Sequence, residues 1–486
     1  MKMVKQKREV RAPKLWEALT PIVGMMVIII VGILKFGLEP HIPIVLACVL
    51  AALMAAKVGN SWDTILTGML DSIHRALEAL LIVMIVGMLI GTWVSSGTVP
   101  AMVYYGLGLI SPNIFLPTGA VLCAIVSLAT GSSWTSSGTV GIALMSIATG
   151  LGINPALAAG MVISGAYFGD KLSPLSDSTN VAAASAETPL YSHVRAMMYT
   201  TVPSFIIALI IYTIIGFNIG KGAFDASRVE LIRSTILANF NINVWLLIPP
   251  VFIIIAAVKR IPGIPSLLGA AALGGIFAMI FQGRGLGDVL LNFHYGFEAS
   301  TGVEIVDKLL NRGGLDSMLW TISLIIFALS FGGILEKSGF IQVILGRLVK
   351  KVKSVVGLVT LTILTGIICD FVLTDQYLAI IVPGRMYYKK YDEMNLSRSY
   401  LSRTLEDGGT LWSPMCPWNG CGAYQSATLG VSTFAYFPYS FMNLINPILA
   451  ITFAYFKIAV FHRDDKRFKD AEEYRLKRYS DDSVKN

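Results

Sequence analysis

The densest polar chemistry in the chain lies at Gly169-Asp170-Lys171-Leu172-Ser173-Pro174-Leu175-Ser176-Asp177-Ser178-Thr179-Asn180, set between two apolar stretches. Pro174 cannot donate to the carbonyl four residues back, and its ring clashes with the preceding turn, so a helix entering this stretch breaks there. Ser173, Ser176, Ser178, Thr179 and Asn180 place short oxygens beside the freed carbonyls, and Asp177 adds a carboxylate. An oxygen-rich set with one charge suits a hard monovalent cation. A solvated loop takes the same residue types, so this stretch alone leaves both readings open. Ser132, Ser133, Thr135 and Ser136, within 130–136, offer more hydroxyls to the same ion. Asp370 and Asp375 flank Thr374, and Trp418 and Asn419 lie in a further polar stretch, 413–420. Two carboxylates at one turn in a low dielectric can carry a proton which an arriving cation displaces, so these residues form the candidate substrate and proton site. The competing explanation for either carboxylate is a helix cap or a lysine partner.

A repeated pattern separates the two readings of the broken stretch. Gly169-x-x-x-Ser173-Pro174 recurs as Gly409-x-x-x-Ser413-Pro414, an offset of 413 − 173 = 240, and 130–136 then falls on 370–376. Upstream, Gly91 with Ser96-Gly97 matches Gly333 with Ser338-Gly339 at 333 − 91 = 242. Broken apolar segments at corresponding positions of two halves point to a transporter site near the bilayer midplane.

The elements that must position these groups are membrane spans. The 486 residues are 55% hydrophobic and 14% charged, whereas soluble domains are about a quarter charged. The net charge of +8 collects at the ends of apolar runs, which is topology information and not a nucleic-acid footprint. None of the five cysteines forms a C-x-x-C pair, and no Ser/His/Asp set, metal triad or nucleotide loop appears. An enzyme and a resident cofactor are therefore not expected.

In order, the sequence predicts a cytoplasmic segment 1–14, spans at 15–34 and 41–56, an interfacial amphipathic helix at 61–79, a span at 80–94 and an external loop at 98–113. The arms 114–129 and 140–149 are each short for a full crossing, so a re-entrant hairpin is expected with its tip at 130–138. A broken helix at 154–184 follows, then His193 and Arg195 on the cytoplasmic side, and a span to 217. A join at 218–242 carries a surface helix. Spans at 244–258 and 266–281 bracket Lys259-Arg260, an external connection covers 282–316, and a span at 319–335 delivers Lys337, Arg347, Lys350, Lys351 and Lys353 to the cytoplasm. A second hairpin at 355–386, a broken helix at 396–429, a span at 439–460 and a solvated tail at 461–486 complete the chain. The fold class is thus an all-α polytopic membrane protein with an inverted repeat, 15–217 and 243–460. Each half has five transmembrane helices, one of them discontinuous, and one re-entrant hairpin. Both termini are expected in the cytoplasm and the chain in the plasma membrane.

The stretch Phe168-Gly169-Asp170-Lys171-Leu172-Ser173-Pro174-Leu175-Ser176-Asp177-Ser178-Thr179-Asn180 closely resembles the signature of NhaC-type Na⁺/H⁺ antiporters, within the ion transporter superfamily. Gly131-Ser132-Ser133-Trp134-Thr135, Asp407-Gly408-Gly409-Thr410 and Pro417-Trp418-Asn419 look like that family's other motif regions. The resemblance implies two re-entrant hairpins, two discontinuous helices and a dimerising scaffold, hence a homodimer. It leaves the substrate open, since similar proteins include a malate/lactate antiporter and the superfamily carries dicarboxylates and amino acids.

Na⁺/H⁺ antiport is the leading expectation, with Na⁺ at Ser132, Ser133, Thr135, Ser136, Ser173, Asp177, Thr179 and Asn180. The alternative is a Na⁺- or H⁺-coupled carrier of an organic acid or amino acid. Asp170-Lys171 is read as an internal ion pair, one of Glu406 and Asp407 as solvated, and His193 as a surface residue. Trp134, Trp412 and Trp418 are read chiefly as packing or interfacial residues.

Overall fold

Every named element among the described residues is helical, as an unpaired backbone in hydrocarbon requires. The computed structural model describes residues 10–109, 111–221, 226–259, 261–349 and 352–484. Helices α1 (Leu15–Phe36), α2 (His41–Val58), α3 (Trp62–Arg75), α4 (Leu77–Ser95), α5 (Thr98–Leu109) and α6 (Pro112–Thr130) open the chain. A tight turn leads to α7 (Ser133–Ser136), a π-helical segment (Ser137–Gly141) and α8 (Ile142–Gly150). Next come α9 (Pro155–Leu172), α10 (Asp177–Ser185), α11 (Leu190–Lys221) and α12 (Ala226–Asn239). The following stretch holds α13 (Ile248–Val258), α14 (Gly263–Gln282), α15 (Leu286–Tyr295), α16 (Glu304–Leu310), α17 (Leu319–Lys337) and α18 (Phe340–Val349). After α19 (Val355–Val372) and α20 (Gln376–Glu393), α21 (Arg398–Leu405) runs into a second π-helical segment (Glu406–Thr410). The chain continues through α22 (Gly420–Leu429), α23 (Thr433–Tyr436), α24 (Phe441–Tyr455) and α25 (Lys469–Val484).

Among the described residues, 8 helices are long and apolar enough to cross a membrane, or up to 10 if each of two bent pairs is one span. The expected polytopic all-helical architecture is therefore present, but α6 is one of the eight, so the 114–129 arm, expected to be short for a full crossing, is not too short for one. Helix α9 lies along α6, because a side chain at Gly169 would overlap the α6 backbone at Ala124 and Leu128. This contact holds the broken helix against the 130–136 turn.

Several connecting segments differ from expectation. The 98–113 stretch is helical as α5, with Val99, Ala101 and Val103 buried, and packs on α4, α8 and α12. Its lack of charge reflects burial, not an external loop. Helix α3 does not lie free on an interface: Gly68 meets Gly333 backbone to backbone on α17, and Ile65 and Ser72 are buried. The helix expected on the surface of the 218–242 join is α12, which buries Ile232 and Ile236 and packs on α5 and α8. The 282–316 connection folds as α15 and α16 and returns Gly314 to α4, where its N–H donates to the Gly87 carbonyl at 2.7 Å. The tail also folds, burying Phe461, Phe468 and Ala471 in one cluster with Tyr400. In each case an amphipathic or glycine-bearing face found a protein partner in place of water or lipid. Residues 1–9, Arg260, Lys350 and Lys351 lie outside the described residues.

Candidate functional site

Four helix beginnings converge on one cavity of about 200 Å³. Helix α6 closes at Gly131 in the left-handed conformation, φ 70°, after which the Ser132 hydroxyl caps α7 by accepting from the Thr135 N–H at 3.1 Å. Ser176 precedes α10, Asp375 caps α20 by accepting from the Leu378 N–H at 2.8 Å, and Asn419 caps α22 by accepting from the Cys421 N–H at 2.9 Å. Helix starts expose unpaired N–H groups, so this convergence makes a polar chamber inside apolar walls. A β-carbon on Gly131 would stand 2.7 Å from the Leu175 carbonyl carbon and 2.9 Å from the Ser176 nitrogen. Gly131→Ala is expected to cost at least ~1–2 kcal/mol from the left-handed backbone alone and to push the two breaks apart. Thermal unfolding of the purified protein checks this, and wild-type stability with wild-type transport overturns it.

The carboxylate at the centre is Asp170, on the last turn of α9. The Ser133 hydroxyl donates to its Oδ2 at 2.7 Å and the Ser176 hydroxyl to its Oδ1 at 2.5 Å, so groups from both breaks meet on one charge. Asp170 is 6% exposed, and that residual exposure faces the cavity. Ser178 extends the hydroxyl chain at 3.0 Å from Ser176. Asp170, Ser176 and Ser178 were absent from the predicted site.

Of the predicted residues, Ser132, Ser133, Asp177, Thr374, Asp375 and Asn419 line the cavity. Asp177 is exposed on that wall. The others turn to the backbone accounting that broken helices demand. Ser173 donates to the Leu128 carbonyl at 2.8 Å, Asn180 to the Ser176 carbonyl at 2.8 Å, and Thr179 to the carbonyls of Asp170 and Lys171 at 3.3 and 3.2 Å. Thr135 donates to the Ser132 hydroxyl at 3.1 Å and Ser136 to the Cys123 carbonyl at 2.9 Å. Trp418 is 8% exposed and donates its indole N–H to the Phe371 carbonyl at 2.9 Å. Asp370 is fully buried and accepts from the Asn419 amide at 3.2 Å, while Asp375 is engaged as a helix cap.

Asp170 and Lys171 are not a pair. Neighbours in sequence point about 100° apart around a helix, so Asp170 faces the cavity and Lys171 a different side. There the Lys171 ammonium donates to Asp407 Oδ1 and, at 3.3 Å, to Asn446 Oδ1. The Thr200 hydroxyl donates to the same Asp407 oxygen at 3.1 Å, and Arg403 Nε stands 3.6 Å from the other oxygen. Both Glu406 and Asp407 are fully buried, which corrects the expectation that one is solvated. His193 is likewise buried, not at a surface, with Nδ1 2.7 Å from the Ser402 hydroxyl and Nε2 3.6 Å from Glu406 Oε1. The adjacent Glu-Asp doublet and the i,i+4 spacing of Arg403 and Asp407 were the available signals for this cluster; its other partners lie on α9 and α11, too far along the chain for spacing to reveal.

Trp134 and Tyr424 stack at 4.1 Å beside the cavity, and Arg75, at its edge, donates to Glu336 at 2.7 Å. The chamber thus offers carboxylates for a cation, an aromatic wall and one guanidinium.

A family model described as the Na⁺/H⁺ antiporter family matches residues 165–458. The chain is 39% identical over 452 residues to the malate-2H⁺/Na⁺-lactate antiporter of Bacillus subtilis, covering 92% of this chain and 96% of that protein. It is 39% identical over 439 residues to the Na⁺/H⁺ antiporter NhaC of Alkalihalophilus pseudofirmus, covering 90% and 94%. It is also 37% identical over 445 residues to the arginine/ornithine antiporter ArcD of Halobacterium salinarum, covering 91% and 92%.

Proposed function

This chain belongs to the Na⁺/H⁺ antiporter family, and from that premise we infer that it exchanges Na⁺ for H⁺ by alternating access, with Na⁺ held at Asp170. The observation that carries the reading is the meeting of Ser133 and Ser176, from two separate chain breaks, on one buried carboxylate that opens to the cavity. A cation replacing the two donated protons would be held by the same oxygens, with Ser132 and Asp177 nearby on the wall. Removing Asp170 from solvent without a partner charge is costly, and a bound cation offsets that cost.

The spacing of helix starts supports two halves of inverted topology, 15–217 and 243–460, joined by 218–242 and followed by the tail 461–486. Asn154 and Ser397 cap α9 and α21, at 397 − 154 = 243. Ser176 and Asn419 precede α10 and α22, at 419 − 176 = 243. Left-handed Gly131 and Thr374 turn the two hairpins, at 374 − 131 = 243. This offset holds on both sides of the breaks and exceeds the Ser-Pro spacing of 240 by three. In this register Asp170 corresponds to Ser413, and Ser133 to Gln376, so the second half repeats the arrangement as a neutral Ser413-to-Gln376 hydrogen bond of 3.2 Å. The 114–149 and 355–386 segments act as re-entrant hairpins, both termini are cytoplasmic, and the protein works as a homodimer in the plasma membrane.

One observation favours a second reading, a Na⁺- or H⁺-coupled carrier of an organic acid or amino acid. A cavity of about 200 Å³ with an aromatic wall and Arg75 at its edge exceeds what one dehydrated cation needs. Reconstitution into liposomes separates the two. A pH gradient alone is expected to drive ²²Na⁺ uptake; uptake that appears only when malate, lactate or arginine is supplied on the opposite side selects the carrier.

A further inference from the structure

Glu406 and His193 form a buried pair that touches neither the cavity nor the surface. Glu406 starts the π-helical segment, and among the described residues neither of its carboxyl oxygens has a hydrogen-bond partner. The nearest basic group is His193 Nε2 on α11, 3.6 Å from Oε1 and itself without a hydrogen-bond partner, while Ser402 fixes the other ring nitrogen at 2.7 Å. A fully buried carboxyl with no donor is costly if ionised and calls for a reason beyond packing. Its position on a π-helical segment, an irregularity frequent at functional sites, points the same way.

The charged surroundings decide what this pair can do. On its own segment and on α21 stand Asp407 and Arg403; α9 brings Lys171, bonded to Asp407, and Asp170, which lies within electrostatic reach of Glu406. Helix α24 brings Asn446 to Lys171. Helix α20 brings Tyr387 and Tyr391, whose hydroxyls are engaged by Thr365 and Thr362 of α19, and Asp370 of α19 sits with Asn419. Asp177 of α10 is exposed on the cavity wall. Lys171 and Arg403 carry two positive charges against Asp407, leaving a net single positive charge. With Na⁺ on Asp170, neutrality of the buried set requires Glu406 ionised and His193 neutral. With Asp170 empty and charged, neutrality requires one more proton on the Glu406–His193 pair. A low-dielectric interior penalises every other combination.

We propose that Glu406 and His193 hold the exchanged proton, one proton leaving the pair for each Na⁺ that binds at Asp170. The O–H bond of Glu406 breaks as Na⁺ arrives, an N–H bond forms at His193 Nε2, and the imidazolium then releases that proton to water on the face from which Na⁺ entered, so the carboxylate left behind balances Lys171 and Arg403. The exchange is then one-for-one across this buried set, and the coupling runs through space. This proposal rests on reading Asp170 as the cation ligand.

The test is ²²Na⁺ binding to the purified full chain between pH 6 and 8.5. Wild type should gain affinity by about tenfold per pH unit over the titrating range, the slope of one linked proton. Glu406→Gln should bind Na⁺ with a flat profile, Glu406→Asp should restore the slope, and His193→Gln should flatten it. If Glu406→Gln fails to fold, His193→Gln alone decides. Wild-type slope in the folded variants, with binding lost in Asp170→Asn, overturns the proton site while leaving the cation site standing. Na⁺ binding with no pH dependence in the wild type likewise overturns the proton site alone, and absence of Na⁺ binding in the wild type overturns both.

Discussion

Asp170→Asn should abolish Na⁺-driven exchange, lowering it by at least about a hundredfold, while Asp177→Asn should lower it only a few-fold. Both substitutions remove one charge and almost no volume, so the contrast isolates position. A unit charge about 4 Å from a cation contributes ~4 kcal/mol at an effective dielectric of about 20 but ~1 kcal/mol in bulk water. Asp170 is buried beneath Ser133 and Ser176, whereas Asp177 is exposed on the cavity wall, so the first figure applies to one and the second to the other. At about 1.4 kcal/mol per tenfold, these become several hundredfold and about fivefold. Initial ²²Na⁺ uptake in proteoliposomes, normalised to folded protein by size-exclusion chromatography, measures both. The assignment fails if Asp170→Asn transports as the wild type does, or if Asp177→Asn is the more severe.

The second large effect is on stability. Lys171→Met leaves Asp407 with Thr200 and the more distant Arg403 as its partners in a site with no solvent exposure. Breaking a buried pair from one side costs about 3–5 kcal/mol, because the surviving charge stays desolvated. Asp407→Asn should cost a similar amount, stranding Lys171 beside Asn446 alone. The double variant should lose markedly less than the two single losses together, since it strands neither charge. Thermal unfolding in detergent, read for all four members of the cycle, gives the coupling. Additive losses, or single variants within about 0.5 kcal/mol of wild type, would show that the pair does not hold α9 to the 406–410 segment.

The spans were legible because hydrocarbon leaves a chain few choices. A run of apolar residues long enough to cross must be helical, so α11 and α17 lie near the places expected for spans, while α6 and α19 stand where hairpin arms were expected and α9 where a helix interrupted at Pro174 was expected. The polar turn at 130–136 and the break at 173–176 were also legible, since freed carbonyls call for short side chains, and Ser173, Thr179 and Asn180 do cover them. What amphipathicity could not reveal was the partner: α3, α5 and α12 read as interface or loop because an apolar face looks the same whether lipid or protein covers it.

The sequence by itself determined that this is a polytopic helical membrane protein with two polar breaks and a few carboxylates near them. It also carried the family's motif at 168–180. Only the tertiary structure decided which carboxylate lies where. Asp170 and Asp177 are seven residues apart, with Pro174 between them, so the turn across the break sets their directions independently of helical periodicity. Ser133 stands 37 residues from Asp170 and Asp407 stands 236 from Lys171. Spacing along the chain constrains groups within one helix, about one turn apart. A charge buried between helices is placed instead by packing, here by Gly169 against α6 and Gly408 against Ile363 of α19, and the side chains it meets come from wherever those helices happen to cross.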